Sequence, residues 1–584
     1  MIRFAPYLLL LAEVVLFYRH ILFAGYAIPW DLRGFHLPHI HLYADALRAG
    51  ELPLWDPYTY CGRPFQANIQ TAVFYPTVAL AAWLGGVLGH ARLLFLLELN
   101  VVLHVFLGGV FAFRLGRALK LGTQAALALA TTYQLGGFFA AHAEHMGAVS
   151  IAAWLPFLLW AVARAGPGRY LRYGLLLAAG LALSILAGLT PLTAVAGGTT
   201  ALFVALRIAS GQSDRRVAVV FLGACGGAVL LAAAQLLPTL QLANHSIGVY
   251  RSEWLGAGGG APLQSLVSLV WPNYYGIFDP GTYRQPYELT FMYLYSGILG
   301  LGLAVCAALR WRKNLPFVIL LLATGFVMLG DSTPAFRALY ALLPVQIKVG
   351  LHPEYAMPAC LLALAILAGL GLEQTVRSPR LRWAAVALCA ADLLVVSSGR
   401  PMHAMPLKKE PGVTRAQFEG VPEILDKMRA RALVTQPPGR LDGLNNVMVW
   451  AMAAPTIQLP NANGNDPLAP ARLIQARLAF VKGERWGAYY EVDDLRSPVL
   501  GMMNVRFLVS RQRLEPERLQ GSPFVFREDI PGFSVYENPA ALERFWLVGR
   551  VRPARSQAEA AAMLRSRDFR PAEEAIIEGA VDLP

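Results

Sequence analysis

The stretch Leu93-Leu-Phe-Leu-Leu-Glu-Leu-Asn-Val-Val-Leu-His-Val-Phe-Leu-Gly-Gly-Val-Phe-Ala-Phe113, followed by Arg114-Leu-Gly-Arg-Ala-Leu-Lys120, decides the fold. The first part holds one acid, Glu98, in 21 residues. As a helix rising about 1.5 Å per residue it crosses about 30 Å of hydrocarbon. The second part puts three cations directly behind that run, and basic loops of this kind stay on the cytoplasmic side.

The same pairing recurs outward in both directions. Apolar runs are read at Pro6 to Ala24, Leu93 to Phe113, Gly122 to Ala140, Gly147 to Ala163, Tyr173 to Leu189 and Leu192 to Ile208. Further runs are Val217 to Leu237, Phe291 to Leu309, Leu315 to Leu329, Tyr355 to Leu372 and Trp383 to Ser397. Every even-numbered run is followed by a basic cluster. These are Arg114, Arg117 and Lys120; Arg164, Arg169 and Arg172; Arg207, Arg215 and Arg216; Arg310, Arg312 and Lys313; and Arg377, Arg380 and Arg382. The expectation is a mainly α, polytopic transmembrane helical bundle of about eleven spans, with the N-terminus in the cytoplasm. The first run has one Arg before it and no small-residue cleavage site behind it, which predicts an uncleaved signal anchor.

Composition agrees. Of 584 residues, 56% are hydrophobic and 15% charged, against about 25% charged in soluble domains. The net charge of +13 sits in short clusters between apolar runs, not in a basic stripe with interleaved aromatics, so no nucleic-acid partner is expected. Four of the five cysteines fall in apolar runs and Cys61 stands alone in a loop, which predicts no disulfide framework.

The division expected is a membrane part over 1–400, with outer loops 25–92, 241–290 and 330–354, and an extracytoplasmic mixed α/β domain over 401–584. In the tail, Ala432 to Thr435, Val447 to Ala451, Val505 to Ser510 and Phe533 to Tyr536 read as strands. Leu468 to Phe480 and Gln557 to Arg565 read as helices. In the first outer loop, Gly34 to Arg48 has the spacing of an amphipathic helix, with Phe35, Leu42 and Leu47 placed to lie on the membrane. Trp30, Trp55, Tyr58, Tyr60, Phe74 and Tyr75 suit the membrane interface.

Chemistry-bearing residues cluster in these outer loops. His142, Glu144 and His145 share one short turn, where three titratable groups at membrane level are costly unless used or solvated. Lys348, His352 and Glu354 precede the tenth run, and Lys348, like Arg63 and Arg251, is a cation that either caps the interface or meets an anionic group there. Asp279, Glu288 and the tyrosines near them suit sugar, although tyrosine is also ordinary at the interface. His36 and His39 share a helix face, but no Cys or carboxylate completes a zinc set with them and His41. Asp31 or Asp56 would take Mg2+ or Mn2+ by its oxygens. No Asp-x-Asp pair supports metal dependence, so no metal ligand is assigned. Glu13, inside the first run, is read as pairing with another helix or as a functional acid. Glycine-rich nucleotide loops and a nucleophile elbow are absent, which argues against a nucleotide-sugar donor.

Several segments carry a family resemblance. They are Gly50-Glu-Leu-Pro-Leu-Trp-Asp-Pro-Tyr58, Gly62-Arg-Pro-Phe65, Asn68-Ile-Gln70, Phe74-Tyr-Pro76, Trp154-Leu-Pro156, Trp271-Pro-Asn-Tyr-Tyr-Gly276, Met503-Asn-Val-Arg-Phe-Leu-Val509 and Tyr536-Glu-Asn-Pro539. The chain resembles the bacterial YfhO-type membrane proteins, which belong among the GT-C-like glycosyltransferases. The resemblance implies a catalytic acid in the first outer loop and a polyprenyl-phosphate-linked sugar as donor. On that basis Asp31, just past the first run, is the expected general base, with Glu144 the second candidate acid. His36, Arg63, Asn68, Gln70, His142, His145, Lys348 and His352 are the expected substrate contacts.

The function implied is inverting transfer of sugar to a cell-envelope glycan, lipid or protein, at the outer face of the bacterial cytoplasmic membrane. The partners are then membrane lipids, the donor lipid and that acceptor. The alternatives are a transporter or flippase of lipid-linked glycans and a non-catalytic envelope assembly protein. A flippase needs a polar path, and the runs carry few charges and no evident repeat.

Overall fold

The computed structural model describes residues 4–250, 259–343, 348, 351–406, 438–530 and 532–579. Their contacts gather into two compact units. One comprises Met1–Arg33, Ile69–Leu237 and Leu255–Pro411, and the other Gly34–Asn68, Pro238–Trp254 and Gly412–Pro584. The sequence reading kept all of 25–92 with the membrane part, whereas packing gives Gly34–Asn68 to the unit of the tail. The expected strand at Ala432 to Thr435, and Arg251, lie outside the described residues.

The first unit is a bundle of apolar helices. Five described helices are long and apolar enough to cross a membrane: His90–Ala118, Met146–Arg164, Thr190–Ala209, Trp311–Ser332 and Pro353–Thr375. Arg216–Leu231 and Ala233–Asn244, bent by 75°, make a sixth if they are one span. Ala5–Phe17, Pro76–Leu88, Tyr170–Leu186 and Ile298–Leu309 are shorter and apolar. The chain is a multi-pass membrane protein, and several runs read as single spans are broken.

The breaks have local causes. The third run splits at Gly136, whose backbone is extended, and the next residue is a glycine against which the Tyr293 carbonyl packs, 2.7 Å from where a Cβ would be. The eighth run is α-helical only from Ile298. Before it, Gly297 takes φ +83°, and Asp392 accepts from the Tyr295 hydroxyl at 2.6 Å and the Ile298 amide at 2.8 Å. That carboxylate replaces the helical partners an unwound segment gives up. Pro76–Leu88, inside the expected outer loop, is a helix the sequence reading missed. Its 13 residues span about 20 Å, short of a crossing.

Polar side chains join the helices inside the bundle. Glu13 accepts from Thr131 Oγ1 at 3.0 Å and from Gln134 Nε2 at 2.6 Å, so it does pair with another helix. Tyr75 and Trp154 meet: Trp154 Nε1 donates to the Tyr75 hydroxyl at 2.9 Å, and that hydroxyl donates to His104 Nε2 at 2.6 Å. His104 Nδ1 in turn donates to the Asn100 carbonyl. Hydrogen bonds of this kind, and small residues at contacts, hold helices together where water gives no hydrophobic push. Tyr75 is therefore buried in the bundle, not placed at the interface as expected.

The second unit is mixed α/β. Arg440–Leu444 runs parallel to Val505–Ser510, which pairs antiparallel with Phe533–Glu537, itself antiparallel to Val525–Ile530. A separate parallel pair joins Arg550–Ala554 and Glu574–Glu578. Phe507 and Val509 enter one apolar core, and Val505 and Leu508 the other. A strand buried on both faces reads as a continuous apolar run, and Val505 to Ser510 was legible for that reason. Gln557–Arg565 is helical as read, capped by Ser556 accepting from the Glu559 amide. The helix expected over Leu468 to Phe480 is confined to Ala471–Arg477, entered from Pro470.

Val447 to Ala451 is not a strand but lies largely in the helix Met448–Ile457. Asn445 and Asn446, at φ +61° and +66°, turn the chain out of the preceding strand. Trp450, Ala453 and Ile457 then bury on one helical face. That helix packs on Leu37–Arg48, whose own buried residues include Leu37, Ile40, Tyr43 and Ala44. One face of the first-loop helix is thus seated on protein, and Phe35, Leu42 and Leu47, expected on the membrane, are half-buried. Tyr60, expected at the interface, is buried, and its hydroxyl donates to the Ala488 carbonyl.

Candidate functional site

In the first unit the chain leaves Phe23 and reaches Asp31 by a pinned route. Ala27 pairs with Met405 in a two-residue ladder, and the Ile28 amide donates to Glu98 Oε1 at 2.9 Å. Trp30 takes φ +53°, and Asp31 stands just before the π-helical turn Leu32–His36. Glu98, the one acid of the run that decided the fold, is buried, and the charge of the equally buried Arg33 acts on it.

The Asp31 side chain is 55% exposed, open enough to meet a substrate. Its Oδ2 lies 3.8 Å from His145 Nε2, and His145 Nδ1 lies 3.7 Å from Glu144 Oε1. Glu144, His145 and Glu288 bring one ligand atom each to within 4.8 Å of one another. Two carboxylates and an imidazole fit a divalent cation such as Mn2+ or Mg2+. Glu288 was read from sequence only as a sugar contact; 143 residues separate it from His145, and spacing carries no sign of the encounter.

Ring contacts extend this cluster. His142 stacks on Phe138 at 4.4 Å between centroids, meets Phe291 edge-on at 4.7 Å and lies 5.5 Å from His145. Phe291 contacts Tyr355, and Tyr355 contacts His352, whose Nδ1 is 3.3 Å from Glu354 Oε1. Asp31, Glu144, His145 and His352 therefore belong to one connected set. His142 is fully buried, and its Nδ1 donates to the Phe138 carbonyl. Burial, then the nearby His145, holds its pKa well below the ordinary histidine range, so His142, expected as a substrate contact, is here a neutral packing group. Lys348 Nζ donates to the Ala341 carbonyl at 3.0 Å and lies over the Tyr340 ring, next to the last turn of the helix Pro334–Leu342. Gln70 is half-buried in the turn Ile69–Thr71.

Arg63 and Asn68 serve the interior of the second unit. Arg63 Nη1 is 2.5 Å from Asp466 Oδ2, its Nε is 3.3 Å from Asp56 Oδ2, and its Nη2 donates to His39 Nε2 at 2.7 Å. Asn68 Nδ2 donates to Asp466 Oδ2 at 2.6 Å. Arg63 is only 4% exposed and Asn68 fully buried, so neither presents itself to a substrate as expected. Asp56, also fully buried, is satisfied by Arg63, the Thr59 hydroxyl and the Tyr58 amide, which leaves it no part as a metal ligand. The His39 nitrogen accepting from Arg63 likewise removes it from a zinc set. Burial and then Arg63 hold the His39 pKa well below the usual histidine value. His36 is half-buried with its ring edge-on to Phe35.

Neither a protein-family profile nor a curated protein matches this sequence. Solved structures do. The fold is similar to that of the arabinofuranosyltransferase AftD from Mycobacteria, with a TM-score of 0.54 at 15% identity over 96% of this chain. It is also similar to the oligosaccharyltransferase of Archaeoglobus fulgidus in its apo form, with a TM-score of 0.52 at 14% identity over 91% of this chain. The match spans 42% of the first protein and 74% of the second, so this chain corresponds to less than half of AftD. The likeness is one of fold, shared with these two transferases.

Proposed function

We propose that this protein is an inverting glycosyltransferase that moves a sugar from a polyprenyl-phosphate-linked donor to a cell-envelope acceptor at the outer face of the cytoplasmic membrane. The observation that carries the reading is the exposed Asp31 carboxylate beside His145, which itself meets Glu144 and Glu288, in a helical bundle with the fold of these transferases. The fold alone assigns no substrate; the site and the YfhO-type motifs favour this one. The eleven-span topology, which leaves the outer loops and the tail on one side, belongs to the same proposal.

In this reading Asp31 takes the proton of the acceptor hydroxyl. The oxygen attacks the anomeric carbon, the new C–O bond forms with inversion, and the bond from that carbon to the phosphate oxygen breaks. Polyprenyl phosphate leaves as the anion. Glu144, His145 and Glu288 would hold a divalent cation, whose charge would stabilise the departing phosphate. His352 connects to this set through the rings of Tyr355, Phe291 and His142. His145 lies beside the Asp31 carboxylate and would help to position it.

The test uses the purified full-length chain, radiolabelled polyprenyl-phosphate-linked hexoses and pentoses, and envelope fractions as acceptor. Asp31→Asn keeps the shape and removes the base, so transfer should fall by about 10²-fold or more. Full transfer by Asp31→Asn overturns the reading.

A further inference from the structure

The second unit holds three arginines that its carboxylates leave alone. Arg440 opens the strand Arg440–Leu444, Arg506 lies in Val505–Ser510, and Arg544 follows the strand Phe533–Glu537. Arg440 donates to the carbonyls of Met503 at 2.8 Å and Cys61 at 3.2 Å, and Arg544 to that of Pro438 at 2.5 Å. A Cβ on Gly439 would lie 2.8 Å from the Arg506 Cβ and 3.4 Å from its Nε, so the Arg506 side chain crosses the backbone between Pro438 and Arg440. In all three the Nε atom is buried without a hydrogen-bond partner. None has a carboxylate partner among the described residues. The contrast lies within the same unit, where buried Arg63 and Arg477 each close on aspartate.

Arg440 and Arg544 act on each other as like charges. Burial first, and Arg440 second, push the Arg544 pKa down to about 10. Partly buried guanidinium groups satisfied only by carbonyls carry uncompensated charge, which is costly away from water. Their planar forks match a phosphate group, which offers charge and several acceptors at once.

Arg544 also lines a cavity of about 860 Å3. Its walls include Met502, Trp546, Leu564 and Ile576, and also Glu574 and the paired Arg472 and Glu578. At its rim Phe545 and Leu547 are 82% and 97% exposed, an unusual state for two large apolar side chains in a folded unit. The Trp546 Nε1 donates to the Pro571 carbonyl, so the indole is fixed in place. Positive charge and an apolar hollow of ligand size thus adjoin at one residue.

We propose that Arg440, Arg506 and Arg544 bind the phosphate of a lipid whose chain occupies the adjoining cavity. The cationic cluster answers the head and the apolar wall answers the chain. A phosphate-bearing amphiphile satisfies both, whereas a free anion leaves the cavity unfilled and a neutral lipid leaves the arginines uncompensated. This site is independent of the transferase reading.

The experiment uses the full chain in detergent with a long-chain alkyl phosphate carrying a diazirine near its tail, and peptide mapping after irradiation. The expected result is labelling within 544–548 and 557–564, competed by phosphatidylglycerol. It should fall about tenfold in the Arg440→Gln/Arg544→Gln double variant and in Ala561→Trp, which fills the cavity but keeps the arginines. Unfolding temperatures report whether each variant is folded. If the double variant does not fold, Ala561→Trp and the matched alkyl alcohol probe decide. No labelling of these peptides overturns the proposal. So do unchanged labelling in a folded variant, equal labelling by the alkyl alcohol, and competition by inorganic phosphate as effective as by phosphatidylglycerol.

Discussion

At Ile28 the chain is held by a side chain shortly before Asp31. The amide donates to Glu98, a buried acceptor on the helix Leu93–Ala118, so the position of the proposed base is set from inside the bundle. Glu98→Ala should lower the turnover number about tenfold with little change in donor KM, because a small misplacement of a reacting group is enough for that. Glu98→Gln keeps an acceptor oxygen and should recover most of the loss. Hydrogen exchange of the segment around Ile28 should rise in the alanine variant; an unchanged exchange rate means that Glu98 does not hold the loop. The histidines give a pH prediction. Burial holds His39 and His142 well below the usual histidine pKa and pushes His403 down to about 3, with His403 bonded to the Ala140 carbonyl. Below about pH 6.5 the unfolded chain binds protons that the folded chain does not. Stability should therefore be full above that pH and fall as pH drops, by about 1.4 kcal/mol per histidine per unit. Melting in detergent from pH 7.5 to 5 measures it, and His403→Gln should flatten the slope.

Among the elements, the segment Gly34–Asn68 depends on one buried cation. Arg63→Met would leave Asp56 and Asp466 facing each other without it and should cost about 3–5 kcal/mol, the usual penalty for breaking a buried ion pair. The loss should appear as a lower unfolding temperature and faster proteolysis; an unchanged temperature shows that the network contributes nothing. Element reading from sequence worked where one residue pattern had one outcome. The helix Gln557–Arg565 and the strand Val505–Ser510 follow from local pattern. It failed at Met448–Ile457, where a β-branched start was outweighed by helical burial against Leu37–Arg48, some four hundred residues earlier in the chain. It failed again before Ile298, where a run that looked continuous is unwound and Asp392 from another helix accepts its hydrogen bonds. Arg63 and Asn68 were picked out by motif, but their partner Asp466 is remote in sequence, so their structural use was not legible.

For the whole molecule, the alternation of apolar runs and basic clusters predicts sidedness. Single cysteines placed at Lys120 and Arg312 should react with membrane-impermeant thiol reagents only from the cytoplasmic side, and one at exposed Leu52 only from outside. Labelling of Leu52→Cys and Lys120→Cys from the same side defeats the topology. The sequence by itself determined that this chain is a helical membrane protein, because apolar runs and the charges between them are local facts that lipid and water sort without reference to distant residues. It also pointed to Asp31, Glu144, His145 and His352 as residues of interest. Only the tertiary structure decided which of these meet, that Glu288 joins them and that His142, Arg63 and Asn68 turn inward. Those outcomes depend on distances between segments far apart in the chain. The broken helices, the buried carboxylates and the close backbone approaches that set such distances leave no periodicity to read.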